Sequence, residues 1–279
     1  MDEMAKLGIC LSGGGARGAY QIGALMALRD LGIFKDAIAF SGASIGSINA
    51  TFAGLNKLED AKDIWLSFKE NPLGEMSEGR ERFRKEGLKA LENGLFPLTK
   101  LEEVLDQNII PFTSESKDVF VAVSETGDAT KTDLELIKSA FDYYIRNDEK
   151  LHYVSMRTLT KHDQVTTLLA SCAIPFIFPP IIKDNRKYRD GGYFDNTPIQ
   201  PLIDYGCDEI ICIRISIIST LWAVRAKNPK LVIHEIKSNS YLGGILDFSP
   251  EHSRELYDLG YQDTLNYFNK RKAMNGTYL

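Results

Sequence analysis

An α/β fold wound on a parallel sheet is what the sequence predicts, and two stretches near its start carry that prediction. "KLGICLS" (6–12) is a short apolar run that stops at three glycines, and helix formers follow from Gly18. "AIAF" (37–40) is a second such run, stopped at "SGASIG" and followed by the small-residue stretch "SIGSINATFAG". Strand, glycine turn, helix, strand, turn, helix is the order from which parallel sheets are built.

The remaining elements follow along the chain. "AYQIGALMALRDLG" is apolar nearly all round, so this helix is expected to be buried and to end at Gly32. Residues 57–70 form a further helix. The stretch 71–98 is rich in charge and glycine, with Phe83, Leu88, Leu91 and Leu95 near helical spacing. It reads either as a helical lid or cap inserted on the sheet or as a solvated amphipathic helix packed on the domain. "DVFVAVSE" (118–125) is a strand, 133–145 a helix, and "LHYVSMRTL" (151–159) a strand. Asp163 is placed to cap a helix with Val165, Leu168, Leu169 and Cys172 on one face. A proline-rich apolar loop comes next, then "KYRDGGYFDNTPI" (187–199), whose Gly-Gly and Asn-Thr-Pro mark turns. "DEIICIRIS" (208–216) and "LVIHEI" (231–236) are buried strands. The closing helix, in "SPEHSRELYDLGYQDTLNYF", presents a stripe of Tyr257, Tyr261, Leu265 and Phe268. No repeat, low-complexity tract or long linker divides the chain, so 1–279 reads as one domain.

Composition narrows the function. A net charge of −5 argues against nucleic acid as the main partner. The N-terminus carries acids and no long apolar run, unlike a secretory signal. The longest apolar run, "CAIPFIFPPII" (172–182), falls well short of the ~18 residues a membrane span needs and is broken by prolines. No transmembrane segment is expected. Cys10, Cys172, Cys207 and Cys212 sit scattered in apolar surroundings without C-x-x-C spacing, as in a reducing compartment. A cytoplasmic protein is expected.

"SGGGARG" (12–18) matches G-x-G-x-x-G between a strand and a helix. A dinucleotide site would also need an acid at the end of the second strand, but Asp36 precedes that strand. A phosphate-binding P-loop fails as well, because Ala19-Tyr20 follow Gly18. The turn "GASIG" offers another chemistry. Gly42 and Gly46 permit a tight strand-to-helix turn that exposes Ser44, and adjacent parallel strands open their C-terminal ends on one crevice. Backbone N–H groups of the glycine loop could then face an oxyanion. The competing reading gives the glycines to helix–strand packing and Ser44 to helix capping.

A nucleophilic serine needs a base. His152, His162, His234 and His252 have no flanking glycine, tight turn or paired acid that singles one out. Asp190 precedes Gly191-Gly192, a pair that allows a sharp turn presenting a carboxylate; a simple turn aspartate is the competing reading.

"LSGGGARGAYQIGAL", "GASIGS" and "DGG", with "ASCAIPFIFPPI" ahead of the last, make the chain resemble the patatin-like phospholipase family over most of its length. That resemblance implies a three-layer α/β/α fold with a mostly parallel central sheet and a Ser-Asp dyad without histidine. Ser44 matches the nucleophile and Asp190 the general base. Gly13, Gly14, Gly15 and Gly18 match the oxyanion loop, and Arg17 its basic position, with an orienting or anionic-headgroup role. Asp-Gly-Gly stands where many members have Asp-Gly-Ala. The implied activity is hydrolysis of phospholipid or lysophospholipid esters at a membrane surface or micelle, with no metal or cofactor. A silent binding or scaffold protein, a non-lipid carboxylesterase and a nucleotide-binding oxidoreductase are the rivals. The 174–182 segment reads as an acyl-chain wall, a membrane-facing rim or an ordinary buried loop.

Overall fold

Side chains of the first strand alternate between two cores, and that alternation lays out the molecule. In the computed structural model, which describes residues 5–68, 76–87, 89–90, 93–128, 150–217 and 219–279, β1 (Leu7–Leu11) is buried throughout. Leu7, Ile9 and Leu11 enter the larger core, whereas Cys10 enters a smaller one on the opposite face. The chain continues through α1 (Gly18–Asp30), β2 (Ala37–Ala43), α2 (Ile45–Gly54), α3 (Leu58–Ser67), α4 (Met76–Glu86) and α5 (Thr99–Asn108). It then runs through β3 (Asp118–Asp128), β4 (Leu151–Ser155), α6 (Lys161–Ser171), β5 (Ile181–Lys183) and β6 (Arg186–Asp190). Finally come α7 (Gln200–Asp204), β7 (Glu209–Ile213), α8 (Leu221–Lys227), β8 (Val232–Ile236) and α9 (Pro250–Asn275).

Among the described residues the strands form one eight-stranded sheet in the order β5-β6-β3-β2-β1-β7-β8, with β4 also on β3. From β3 to β8 the pairing is parallel, and β4, β5 and β6 are antiparallel. The larger core takes Ala19, Ile22, Ile48, Trp65, Leu168 and Phe268 from α1, α2, α3, α6 and α9. On the other face Leu202 of α7 and Leu221 of α8 cover Ile210, Cys212 and Ala39. Helices on both faces of a mostly parallel sheet make the three layers expected from the sequence.

β3 acts as a ruler for the site. Ala122 pairs with Ala43, the last residue of β2, and the next residue, Val123, pairs with Asp190, the last of β6. β4 and β6 both pair with Val123 and Ser124, so they occupy opposite edges and β6 shares the edge of β2. Two strands therefore meet end to end along one edge of β3. Ser44 follows directly on one and Asp190 ends the other.

Several local expectations change. The strand expected over 151–159 ends at Ser155, because the Gln164 amide takes the Met156 and Leu159 carbonyls and the chain coils at Met156–Thr158. Thr160 rather than Asp163 caps α6: its hydroxyl accepts the Asp163 N–H at 3.2 Å. "RKYRD", ahead of the Gly-Gly turn, is a strand that the sequence reading did not assign, since it buries Lys187 and Arg189 and hides its period from a hydrophobicity reading. The buried line of α9 is Ser253, Leu256, Gly260, Thr264 and Phe268, because Gly260 lets the backbone of Tyr20 lie against it. Of the 71–98 stretch, α4 leaves Phe83 exposed, while Leu95 N and Phe96 N donate to Phe176 O and Ile177 O. Leu88, Leu91 and the helix expected over 133–145 lie outside the described residues.

Candidate active site

Ser44 sits on a strained corner. Its φ of 52° and ψ of −133° are unfavourable for a residue with a Cβ, and such strain is found at functional turns. The corner is tight because Gly42 and Gly46 carry no side chain. A Cβ on Gly42 would fall 2.3 Å from Gly46 O, and one on Gly46 2.3 Å from Leu11 O. Three bonds hold the corner: Ser44 N donates to Ser171 Oγ at 3.0 Å, and Ser47 Oγ and N donate to Ser44 O at 2.6 and 2.9 Å. Ser44 Oγ makes no capping bond, so its hydroxyl is left for other chemistry.

The glycine loop divides into two kinds of donor. Gly13 N is bound to Asn196 O at 3.1 Å, Gly18 N to Gly15 O, and Ala16 N to Ile245 O at 2.8 Å. Among the described residues Gly14 N and Gly15 N have no protein acceptor. They lie at the start of the turn leading into α1, where the helix adds positive potential. Gly15 has φ +59°, and a Cβ there would come within 2.1 Å of Ile245 O. Gly18 is instead packed under Trp65 and Ile45. Arg17 is buried, with Nε and Nη2 on Gly243 O at 3.0 and 2.7 Å and Nη1 on Ile215 O at 3.3 Å. Its guanidinium ties the loop to the 243–245 segment.

Asp190 comes from the opposite strand. Its Oδ1 accepts the Gly192 N–H at 2.7 Å, and its buried Oδ2 has no hydrogen-bond partner among the described residues. Burial pushes its pKa up to about 7, against the lowering pull of the Ser44 hydroxyl and the Gly192 N–H. The hydroxyl is thus close enough to be felt by the carboxylate without a closed hydrogen bond to it.

Ser44 stands where two cavities meet. One, of about 440 Å³, is apolar and runs between α2, α3 and α5, lined by Ile48, Phe52, Ile64, Trp65, Leu101 and Val104, with Ile174 and Phe178 from the proline-rich loop. The other, of about 450 Å³, is the more polar of the two and is lined by Gly13, Gly14, Gly15, Arg17, Asp190, Gly192 and Asn196, with Tyr193 and Phe194. Ser44, Gly15, Ile174 and Ile245 belong to both. Gly18, Gly42, Gly46 and Gly191 line neither. No histidine lines them: His152 pairs with Glu125 at 3.1 Å and buried His234 with Glu209 at 2.6 Å.

Sequence reasoning missed the supports. Ser171 donates to Ala122 O at 2.7 Å while receiving Ser44 N. Beneath the glycine loop a buried chain links Trp65 to Asn49, Asn49 to Gln21, and Gln21 to Ser12 O. Asn196 brackets Gly13 through its carbonyl and its amide. Asp195 adds a second carboxylate to the polar cavity, bonded to Tyr153 OH at 2.7 Å and Thr197 N at 3.0 Å, its pKa raised by burial. The one sequence signal for these was polar residues inside apolar runs. Among the described residues no cluster of His, Cys, Asp and Glu is arranged to hold a metal ion.

Comparison with known proteins finds relatives in sequence and in fold. "Lysophospholipase NTE1" of Cryptococcus neoformans is 29% identical over 225 residues, covering 75% of this chain and 11% of that protein. The protein of the same name from Mycosarcoma maydis is 23% identical over 213 residues, covering 75% of this chain and 10% of its own. The chain thus spans about a tenth of the length of these curated relatives. A human GIVD cytosolic phospholipase A2 structure shares the fold, with a TM-score of 0.53 at 12% identity over 95% of this chain and 59% of that one. The family model described as patatin-like phospholipase matches residues 9–203, which hold the glycine loop, Ser44 and Asp190. The chain belongs to the patatin-like phospholipase family.

Proposed function

We propose that the chain is a lipid acyl hydrolase that cleaves carboxylic esters of phospholipids or lysophospholipids through Ser44 and Asp190. The observation that carries this reading is the position of Ser44 between an apolar cavity sized for a hydrocarbon chain and a polar one that holds a buried carboxylate and two unengaged N–H groups. The names of the relatives support the lipid substrate.

Ser44 Oγ bonds to the ester carbonyl carbon while its proton passes to Asp190, whose raised pKa makes it a stronger base than an exposed carboxylate. The carbonyl electrons move onto oxygen, where Gly14 N and Gly15 N stabilise the charge. Collapse expels the lipid alcohol, which takes the proton back from Asp190. Water then attacks the acyl-serine, giving its proton to Asp190, and the fatty acid leaves as Ser44 is reprotonated. Gly13, Gly18 and Arg17 hold the loop in shape. The reading includes a cytoplasmic location with peripheral membrane contact, supported by four buried free cysteines and by the lack, among the described residues, of a helix able to cross a membrane.

A fluorophosphonate probe tests the reading. Wild-type protein should be labelled, and a folded Ser44→Ala variant should lose both label and at least ~10³-fold in lipid hydrolysis. Labelled Ser44→Ala would move the nucleophile to another residue, and an unlabelled, inactive wild type would leave the silent binding protein as the better account.

A further inference from the structure

The loops leaving β7 and β8 carry an exposed apolar rim around the site. Arg214 N donates to Ile236 O, so the two strands end side by side, at the same edge of the sheet as the glycine loop and Ser44. Ser216 and Thr220, from the β7 loop, and Ile245, from the β8 loop, line the polar cavity. Between them the loops and the first turn of α8 expose Ile217 at 77%, Trp222 at 75%, Tyr241 at 79% and Ile245 at 40%. Apart from Met274 near the C-terminus, no large apolar side chain among the described residues is as exposed as the first three. Arg17, whose guanidinium lies 5.8 Å from the Tyr241 ring, clamps the β8 loop through Gly243 O. The rim is therefore fixed to the glycine loop.

We propose that this rim is the face by which the protein docks on a phospholipid bilayer, resting on the lipid-hydrolase reading above. Trp and Tyr are the side chains that settle at the headgroup level, with apolar bodies and a polar handle. The rim also suits the charge of a lipid surface. Residues 216–222 and 236–246 contain no Asp or Glu, in a chain with 38 of them, and add one exposed lysine, Lys237. Within those two segments no carboxylate has to be dehydrated or pressed against phosphate; the exposed Asp247 follows just beyond the second. Docked there, a lipid leaves the bilayer past Ile245, which walls both cavities, and delivers its ester to Ser44.

The chain carries its own reporter. Of its two tryptophans Trp65 is buried at 5% exposure in the wall of the apolar cavity and Trp222 is exposed, so the part of an emission change that is lost in Trp222→Ser reports the rim. In the Ser44→Ala background, which leaves the membrane intact, phosphatidylcholine vesicles containing phosphatidylglycerol should shift the emission to the blue and pull the protein down on sedimentation. A triple variant, Ile217→Ser, Trp222→Ser and Tyr241→Ser, should partition at least ~10-fold more weakly, the scale for withdrawing three large apolar side chains. With Ser44 intact, the triple variant should keep hydrolysis of a water-soluble short-chain ester within about twofold while losing hydrolysis of vesicle lipid. Equal vesicle binding by the triple variant overturns the proposal. So does a wild type that ignores vesicles but forms dimers that the triple variant loses, because the rim then serves a second copy. Vesicle binding lost in the triple variant by a protein that hydrolyses no ester would sustain the docking face and sink the hydrolase reading.

Discussion

Ser171 holds the backbone of Ser44: its Oγ accepts the Ser44 N–H at 3.0 Å and donates to Ala122 O at 2.7 Å. The hydroxyl is buried and bridges the corner to the central strand β3, so it fixes a residue with φ +52° that would otherwise relax. Ser171→Ala leaves a buried N–H without a partner, a cost of ~1–3 kcal/mol. We expect kcat to fall on the order of tenfold or more with KM little changed, and Ser171→Thr to recover part of it. A Ser171→Ala enzyme with normal kcat would assign the bond to stability alone.

Asp190→Asn should separate activity from stability. The amide cannot take the serine proton, so turnover should fall ~10²–10⁴-fold. In the wild type, activity should rise with pH through about 7, the pKa to which burial raises this carboxyl. The sign for stability is opposite. A folded-state pKa of about 7 lies above the unfolded value near ~3.9, so this group's favourable contribution is complete below ~pH 4 and is lost as pH rises through 7. Asp190→Asn should therefore be at least as stable as wild type at pH 8, its advantage shrinking towards pH 4. Denaturant titrations at both pH values measure this, and an advantage that grows towards acid would refute the buried-base description. Substituting any one of His152, His162, His234 and His252 should leave more than about a tenth of the activity, since none lines either cavity.

Gly15 and Gly18 should fail in different ways. Gly15→Ala forces a side chain into φ +59° and to within 2.1 Å of Ile245 O, beside one of the two unengaged N–H groups. Losing such a donor costs ~10²–10³ in kcat. Gly18→Ala meets Trp65 and Ile45 at 2.6 and 2.7 Å, and its N–H is already bound to Gly15 O. It should cost stability, ~1–3 kcal/mol for overpacking, more than turnover. Thermal melts and initial rates on both variants check the division. Equal loss of kcat without loss of Tm at Gly18 would return that glycine to the oxyanion loop.

The two strand-turn-helix units were legible because their signals are local: an apolar run, then glycines, then helix formers. Ser44 and the glycine loop follow from that grammar. Asp190 was found through its glycines and the family resemblance, and its strand stayed hidden because Lys187 and Arg189 are charged residues buried by contacts outside the strand, such as Phe178 O for Arg189. The meeting of β2 and β6 along β3 is a register between strands separated by more than a hundred residues, and no local pattern encodes it. Which loop N–H groups are unengaged depends on Asn196 and Ile245, and that too is tertiary information.

The apolar cavity should set the length of acyl chain that is cleaved. Leu101 and Val104 of α5 and Ile64 of α3 line it and are not part of the second cavity, which holds Gly13, Gly14 and Asp190, so bulk can be added there and the reacting groups left in place. Val104→Trp fills part of the cavity and displaces the chain that would occupy it. Each methylene forced back into water costs about 0.8 kcal/mol, so excluding three lowers kcat/KM by ~50-fold. An ester too short to reach the wall loses nothing. The expected result is a long-to-short preference that falls by one to two orders of magnitude, with fluorophosphonate labelling of Ser44 unchanged. If Val104→Trp instead slowed short and long esters equally, the chain would have to lie in the polar cavity, and the assignment of the two cavities would be reversed.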